Sequence, residues 1–360
     1  MPEHKILVVN LGSTSSKVAY YLDERCVTTE NIEHDAKALR DFGGVQQQFQ
    51  YRYDAILDFL ARIGVQPTEL SAVVSRGGHT EPIEGGVYRV DEEMLAESMS
   101  MKYGFHACDL GLQIAFAMSR SGSLALTVDP PVTCEFEPLS FYSGLPEIRR
   151  KSSFHVLNHR AVGKQYAKDI GRPYADLRLV VIHMGGGISV AAHKGGKLVD
   201  ANNALTGDGP FSTNRTGGLP VGSLIDLCYS GQFNREEMMR KINGQGGLAA
   251  YVGETDVKTL EQRAKAGDAA VAEALSAMCY QVAKECGAYA AALKGKVDAI
   301  LFTGGISRSE YVTGIIRDHI AFIAPIVMYP GEFEMQALAQ GAYEVLAGKT
   351  AAKTFREGKK

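Results

Sequence analysis

The sequence predicts an α/β protein made of two similar halves facing a cleft, and three observations carry that prediction. Three aliphatic or β-branched runs each stop at a glycine-rich turn: Ile6 to Gly12, Leu179 to Gly187 and Ala299 to Gly305. After the first two the chain resumes an extended pattern, Lys17-Val18-Ala19-Tyr20-Tyr21 and Ile188-Ser189-Val190-Ala191-Ala192, so each reads as a β-hairpin with a polar or glycine tip. The two hairpins start 173 positions apart (179 minus 6), which implies one strand-first unit used twice. A length of 360 residues also exceeds what one core usually serves.

Helices follow the strands in each half. The segment Arg52 to Ile63 sets Ala55, Ile56, Phe59, Leu60 and Ile63 on one stripe, and Asp268 to Leu293 does the same with Val271, Leu275, Met278, Val282, Tyr289 and Leu293. Between them, Asp200 to Gly222 holds Gly207, Gly209, Pro210, Gly217, Gly218 and Pro220. That density predicts a long irregular loop, and loops of such length are usually functional. Asn243 to Gly253 reads as a second glycine-dense loop, and the polar, basic tail Lys349 to Lys360 is expected to fray.

Composition removes several function classes. Lys plus Arg (38) nearly balance Asp plus Glu (41), so no basic excess points to nucleic acid. The start runs too quickly into Asn10 and Gly12 for a signal peptide, and no apolar run reaches the roughly 18 residues of a spanning helix. The six cysteines are dispersed without a Cys-x-x-Cys pair and read as small core residues in a reducing compartment. The Asn214-Arg215-Thr216 sequon carries no weight without a secretory signal.

The tip Asn10-Leu11-Gly12-Ser13-Thr14-Ser15-Ser16-Lys17 gathers hydroxyls, backbone donors and a cation after a buried strand. That composition can cradle a phosphate, whereas a solvated hairpin tip is the bland alternative. His183-Met184-Gly185-Gly186-Gly187 and Phe302-Thr303-Gly304-Gly305-Ile306-Ser307 repeat the close-approach glycines, and three such turns fit a nucleotide. None is a Walker A loop, because the glycine required five residues before Gly348-Lys349-Thr350 is Tyr343, and there is no strand-bound Gly-x-Gly-x-x-Gly.

The segment Val9-Asn10-x-Gly12-Ser13-Thr14-Ser15-x-Lys17 resembles the N-terminal signature of the acetate and butyrate kinase family, within the sugar kinase, heat-shock protein and actin superfamily. The likeness continues in the family's order through Phe154-His155-x-x-x-His159-Arg160, His183-x-Gly185-x-Gly187, Asn214-Arg215-Thr216-Gly217 and Phe302-Thr303-Gly304-Gly305-Ile306, nearly the whole chain. It implies two ribonuclease H-like domains, a duplicated mixed β-sheet flanked by helices, facing a central cleft. The N-terminal domain would span 1–144, rejoined by a C-terminal helix over 336–360, with a nucleotide-binding domain over 145–335. ATP or ADP and Mg²⁺ are the implied cofactors. The implied substrate is a short-chain carboxylic acid or its acyl phosphate, handled by a cytoplasmic homo-oligomer with no nucleic-acid or membrane partner.

By this resemblance Arg76 and Arg215 flank the acyl carboxylate and the transferring phosphoryl group, and His155 donates to its equatorial oxygens. Asp129 orients an arginine or a metal-bound water, or is merely a turn residue ahead of Pro130-Pro131. His106 is a second active-site histidine, in a segment where relatives carry Asn at the position of Asp109. His79 is a loop residue beside Arg76. Ser13, Ser15, Lys17, His183, Gly185, Gly186, Gly187, Asp256, Gly304 and Gly305 fall on the nucleotide side together with Asn10. Asn10 and Glu334 are metal-side ligands, with Glu332 the rival carboxylate.

Gly78, Phe105 and Phe154 line the implied acyl pocket. Acetate-using members place a valine where this chain has Gly78, so the pocket is expected to prefer butyrate or a branched acid over acetate. Each added methylene is worth roughly 0.8 kcal/mol, so the preference is graded. A carboxylate is already ionised at neutral pH and needs no general base; it needs neutralisation as it meets an anionic phosphoryl group. Arg76, His155 and Arg215 answer that need. They argue against a sugar kinase using Asp129 as base, and against an ATPase module without small-molecule turnover.

Overall fold

The computed structural model describes residues 3–359. The chain divides into two compact units, Met1–Cys134 with Phe333–Lys360, and Glu135–Glu332. The crossings at 134/135 and 332/333 come earlier than the 144/145 and 335/336 read from the sequence. Side-chain and backbone pairing explains the first: Cys134 N still donates to Ile83 O at 2.9 Å in the first unit. Glu135 Oε2 instead accepts from buried Arg160 Nη2 at 2.6 Å in the second.

The first unit carries a six-stranded sheet: β1 (Lys5–Leu11), β2 (Ser15–Leu22), β3 (Arg25–Glu33), β4 (Ala72–Ser75), β5 (Val87–Arg89) and β6 (Leu124–Val128). The spatial order is β3-β2-β1-β4-β6-β5, with β1 to β3 antiparallel, β4 and β6 joining in parallel, and β5 antiparallel at the edge. The second unit's five strands are β7 (Arg178–Met184), β8 (Ile188–Lys194), β9 (Lys197–Ala201), β10 (Ala299–Gly304) and β11 (Ile326–Pro330), in the order β11-β10-β7-β8-β9. Again three antiparallel strands are extended by two parallel ones.

The two mixed sheets therefore repeat one topology, and β1 and β7 start 173 positions apart (178 minus 5). Even an irregularity recurs. Pairing between the second and third strands slips at Tyr20/Tyr21 in one sheet and at Ala192/His193 in the other.

The first strand of each sheet is almost continuously buried, Ile6 to Val9 in β1 and Leu179 to Met184 in β7. That is how strands covered by helices read, in place of the alternation of a one-sided sheet. The expected helices are Phe49–Arg62 and Ala269–Ala292. Asp268 and Leu293, read as the ends of the second, are its caps, and Asp268 Oδ1 accepts from Val271 N at 3.2 Å. The irregular stretch runs from 202 to 220 and gives way to a helix, Val221–Tyr229.

Three expectations are corrected. The segment 243–253 is not wholly irregular, since Gly247–Val252 forms a short helix. The tail is not frayed: Lys353 N donates to Val87 O at 2.8 Å, Arg89 N donates to Lys353 O at 2.9 Å, and Phe355 is fully buried. One buried ring, backbone pairing and the ion pairs of Arg356 with Glu93 and Lys359 with Glu81 together dock a polar segment. Cys26 and Cys228 are exposed, and only the other four cysteines are core residues. Among the described residues no helix is long and apolar enough to cross a membrane.

Candidate active site

In the first unit the β1–β2 turn is closed by Gly12 N donating to Ser15 O at 2.9 Å. Arg52, fully buried, donates to the carbonyls of Gly12 (3.0 Å), Ser15 (3.1 Å) and Ser13 (2.9 Å). One guanidinium thus absorbs the negative ends of three tip peptides, which would otherwise repel a bound anion. Burial lowers the Arg52 pKa. Sequence reasoning missed this residue, although its signal was present: Arg52 is a cation on the same stripe as Ile56 and Phe59. Ser13 Oγ lies 2.9 Å from His106 Nε2, so the tip and the second histidine meet. Ser15 and Lys17, on the strand leaving the tip, are partly exposed.

Beyond β4 the backbone of Arg76 donates to Val9 O at 3.3 Å. Its Nη2 lies 3.5 Å from Glu334 Oε1, and Asn10 Nδ2 donates to Glu334 Oε2 at 2.8 Å. The ends of β1 and β4 and the start of helix Glu334–Leu346 therefore gather Asn10, Arg76 and Glu334. Glu334 is buried at this meeting point, whereas Glu332 is exposed. Because Asn10 turns its amide nitrogen to Glu334, its amide oxygen points elsewhere. Hard oxygen donors beside one neutralising arginine fit a water-clad magnesium ion.

Asp109, at the start of helix Ala107–Ser119, accepts from His79 N (2.6 Å), Ser98 Oγ (2.6 Å), His106 N (2.8 Å) and His79 Nδ1 (2.8 Å). Burial pushes its carboxyl up, but these donors outweigh burial and hold it below the usual range. The hydrogen bond to Asp109, with a smaller contribution from Cys108, raises the His79 pKa to about 10. The His79, Cys108 and Asp109 donor atoms lie within 4.8 Å of one another.

This cluster alters the expectation for Gly78. A Cβ there would collide with the Asp109 carboxylate, lying 2.9 Å from its Cγ and 3.0 Å from its Cα. The volume a side chain would occupy is already filled, so Gly78 reflects close packing and does not open a pocket. Phe105 is half-buried against the core of its unit. Asp129 directly follows β6 with φ of 41°, a costly conformation for a non-glycine residue. Gly86 holds it there: Asp129 Oδ1 accepts from Gly86 N at 2.8 Å, and Asp129 N donates to Gly86 O at 2.9 Å.

In the second unit the β7–β8 tip is closed by Gly185 N donating to Gly187 O at 3.0 Å, and Ser212 Oγ donates to Gly186 O at 2.7 Å. Arg215 lies directly on Gly187, where a Cβ would collide with Nη1 and sit 2.9 Å from Cζ. Its Nη1 donates to Ala204 O at 2.6 Å, its buried Nε has no partner, and burial lowers its pKa. Gly304 (φ 87°) would bring a Cβ within 2.7 Å of the Met184 backbone. Two of the three predicted glycine turns, including Gly305 at the start of a single 3-10 turn, therefore adjoin. Asp256 caps helix Val257–Lys265, accepting from Thr259 N at 3.0 Å and Thr259 Oγ1 at 2.6 Å.

His155 precedes helix Val156–Asp169 and stacks on His183, with ring centroids 3.8 Å apart and planes 13° from parallel. Its Nδ1 lies 2.9 Å from Ser189 Oγ. Phe154 is buried, stacked on Phe136 at 6.1 Å and edge-on to His159 at 5.4 Å. Ser189, Asn158 and His159, which contact these histidines, were missed as site residues. A buried serine on a strand leaves no sequence signature.

Two sheets of one topology, each carrying a glycine tip beside charged and imidazole side chains, make this a two-domain kinase-type fold. The crystal structure of Porphyromonas gingivalis acetate kinase has it, with a TM-score of 0.79 at 20% identity over 95% of this chain and 100% of that one. Residues 139–325 match the acetokinase family. "Butyrate kinase 2" of Clostridium acetobutylicum is 45% identical over 98% of this chain and 99% of its own, and "Butyrate kinase 1" of the same organism is 43% identical over 98% and 100%. The chain belongs to the acetokinase family, and it is an ATP-dependent kinase with a carboxyl acceptor that forms an acyl phosphate.

Proposed function

We propose that this enzyme transfers the γ-phosphoryl group of ATP reversibly to butyrate or a branched short-chain acid, giving acyl phosphate and ADP. Its near-full-length likeness to two butyrate kinases carries the choice of acid; Gly78 does not, since Asp109 fills the space beside it. In this reading the acid is already anionic, and the residues neutralise and orient it. Arg76 and Arg215 offset the charge of the carboxylate and the transferring group, and His155, with His106 near the tip hydroxyl, donates to phosphoryl oxygens. Asp129 holds the turn beside Gly86. Ser13, Ser15, Lys17, the Gly185–Gly187 tip and Gly304 receive the nucleotide, while the Asp256 carboxylate is already committed to its helix cap.

Mg²⁺ would be held by Asn10 and Glu334, and when bound it neutralises phosphate charge. The enzyme works in the cytoplasm as a homo-oligomer. Helix Val221–Tyr229 buries none of its residues and leaves Val221, Ile225 and Tyr229 exposed, an apolar face of the kind a second copy covers.

The test is incubation with Mg-ATP, hydroxylamine and single acids of two to five carbons, reading the coloured acyl hydroxamate. The largest yield is expected with butyrate or a branched four-carbon acid; a maximum at acetate or propionate overturns the choice of acid. Arg215→Ala should lower kcat/KM about 10³-fold with the circular dichroism unchanged. A loss under tenfold would make Arg215 a packing residue.

A further inference from the structure

We propose that Ser189 and Asn158 are positioning residues that hold the stacked imidazoles of His155 and His183 as tautomers with the proton on Nε2. Gly331 O can only accept, so the Thr303 hydroxyl, 3.0 Å away, donates to it. Thr303 Oγ1 is then available to accept from Asn158 Nδ2 at 3.1 Å, which fixes the orientation of the amide. The same Nδ2 lies 2.8 Å from His183 Nδ1, and its second hydrogen goes there. His183 Nδ1 is therefore bare and the proton sits on Nε2. That atom faces the glycine tip, since a Cβ built at Gly185 would lie 3.4 Å from it.

Beside His155, His159 Nδ1 is buried without a partner. Ser189 Oγ has one hydrogen and stands between His155 Nδ1 at 2.9 Å and His159 Nε2 at 2.8 Å. Ser189 and His159 are both fully buried, and burial keeps His159 neutral. If Ser189 donated to His159, that ring would carry its hydrogen on Nδ1, which has no partner. A buried N–H would be left unsatisfied. If Ser189 donates to His155, His159 donates from Nε2 to Ser189, and only a lone pair is left unused. Orphaned buried donors are the rarer and costlier case. The chain of bonds therefore runs from His159 through Ser189 to His155 Nδ1, with the His155 proton on Nε2. An imidazolium at His155 is disfavoured for the same reason, because it too would have to donate from Nδ1.

Both rings are thus neutral, with no like-charge repulsion across their 3.8 Å stack. Each carries its N–H preset on Nε2, the orientation a donor to an anion requires. That these donors serve a phosphoryl group rests on the function proposed above; the tautomers themselves do not.

The test is ¹⁵N-histidine labelling of the full chain and long-range ¹H–¹⁵N correlation at pH 7.5, with His155→Gln and His183→Gln used to assign signals. Both rings should show a bare Nδ1 and a protonated Nε2. A protonated Nδ1 at either ring overturns the assignment for that ring. Ser189→Ala should lose the single-tautomer signature at His155 while leaving His183 unchanged. His159→Gln, which keeps a donor near the position of Nε2, should retain it. An unaltered His155 spectrum in Ser189→Ala removes the positioning role.

In turnover, Ser189→Ala should lower kcat about tenfold with the KM for the acid within about twofold. A change confined to KM would contradict a donor acting in the transition state. Absence of hydroxamate with wild-type enzyme would overturn the functional reading and leave the tautomers standing.

Discussion

Replacing Asp109 by Asn should change how the stability of this protein depends on pH. The His79 pKa stands at about 10 in the folded protein, against an ordinary value of 6.5, chiefly because its Nδ1 lies 2.8 Å from Asp109 Oδ2. The folded state therefore keeps a proton that the unfolded chain has released between pH 6.5 and about 10. A raised pKa stabilises fully below 6.5, and its contribution is lost as pH rises through the folded value. One such proton gives a slope of at most about 1.4 kcal/mol per pH unit, or about 2.7 kcal/mol from pH 7.5 to 9.5. The His79 side chain is 31% exposed, so solvent screening brings the expected loss to about 1–2 kcal/mol.

Asp109→Asn and His79→Gln should both abolish that loss. Asp109→Asn should in addition cost about 1–3 kcal/mol at pH 7.5, because His106 N then faces an amide that can turn only one oxygen to its several donors. Urea midpoints at pH 7.5 and 9.5 for the three proteins, each also measured with Cys108→Ala to remove the neighbouring thiol, supply the comparison. If the wild type loses no more stability over that interval than His79→Gln, the ion pair does not hold the imidazolium, and the reasoning fails.

Arg52→Met should destabilise by about 2–3 kcal/mol in a thermal scan, because Gly12 O and Ser13 O lose their guanidinium donor in a part-buried setting and Ser15 O is left with Gly12 N alone; a shift under 1 kcal/mol would mean that water replaces it. Gly187→Ala should displace Arg215 and lower hydroxamate formation about 100-fold with the circular dichroism intact, and near-normal activity would show that the arginine is free to move. Gly78→Ala should cost about 1–3 kcal/mol through overpacking against Asp109 while leaving the ratio of acetate to butyrate turnover within about twofold. A marked shift of that ratio would return Gly78 to the acyl pocket. Phe355→Ala should cost about 3–5 kcal/mol and expose the tail to proteolysis; an unchanged proteolysis pattern would show that the tail does not dock through that ring.

The strands, the hairpin tips and the repeat of one unit were legible in the sequence because they are local. A run such as Ile6 to Val9 followed by Gly12 favours strand and turn through local preference, and the order of the glycine motifs carries the family. Side-chain partnership is a different quantity, set by what arrives through space. Asn10 selects Glu334 from 324 positions away. The packing against Gly78 comes from Asp109, whose carboxylate binds His79 from 30 positions along the chain. Phe355 anchors a tail whose polar composition reads as frayed.

The sequence by itself thus determined two strand-first α/β units with a phosphate-type tip, and the order of its motifs carried the resemblance to the kinase family. Tertiary structure decided which carboxylate meets Asn10, that Gly78 opens no space, that a buried arginine supports the tip, and which nitrogen of His155 faces Ser189. Each of these depends on a distance between groups remote in the chain, and hydrogen bonds and excluded volume act over a few ångströms irrespective of how many residues separate the partners.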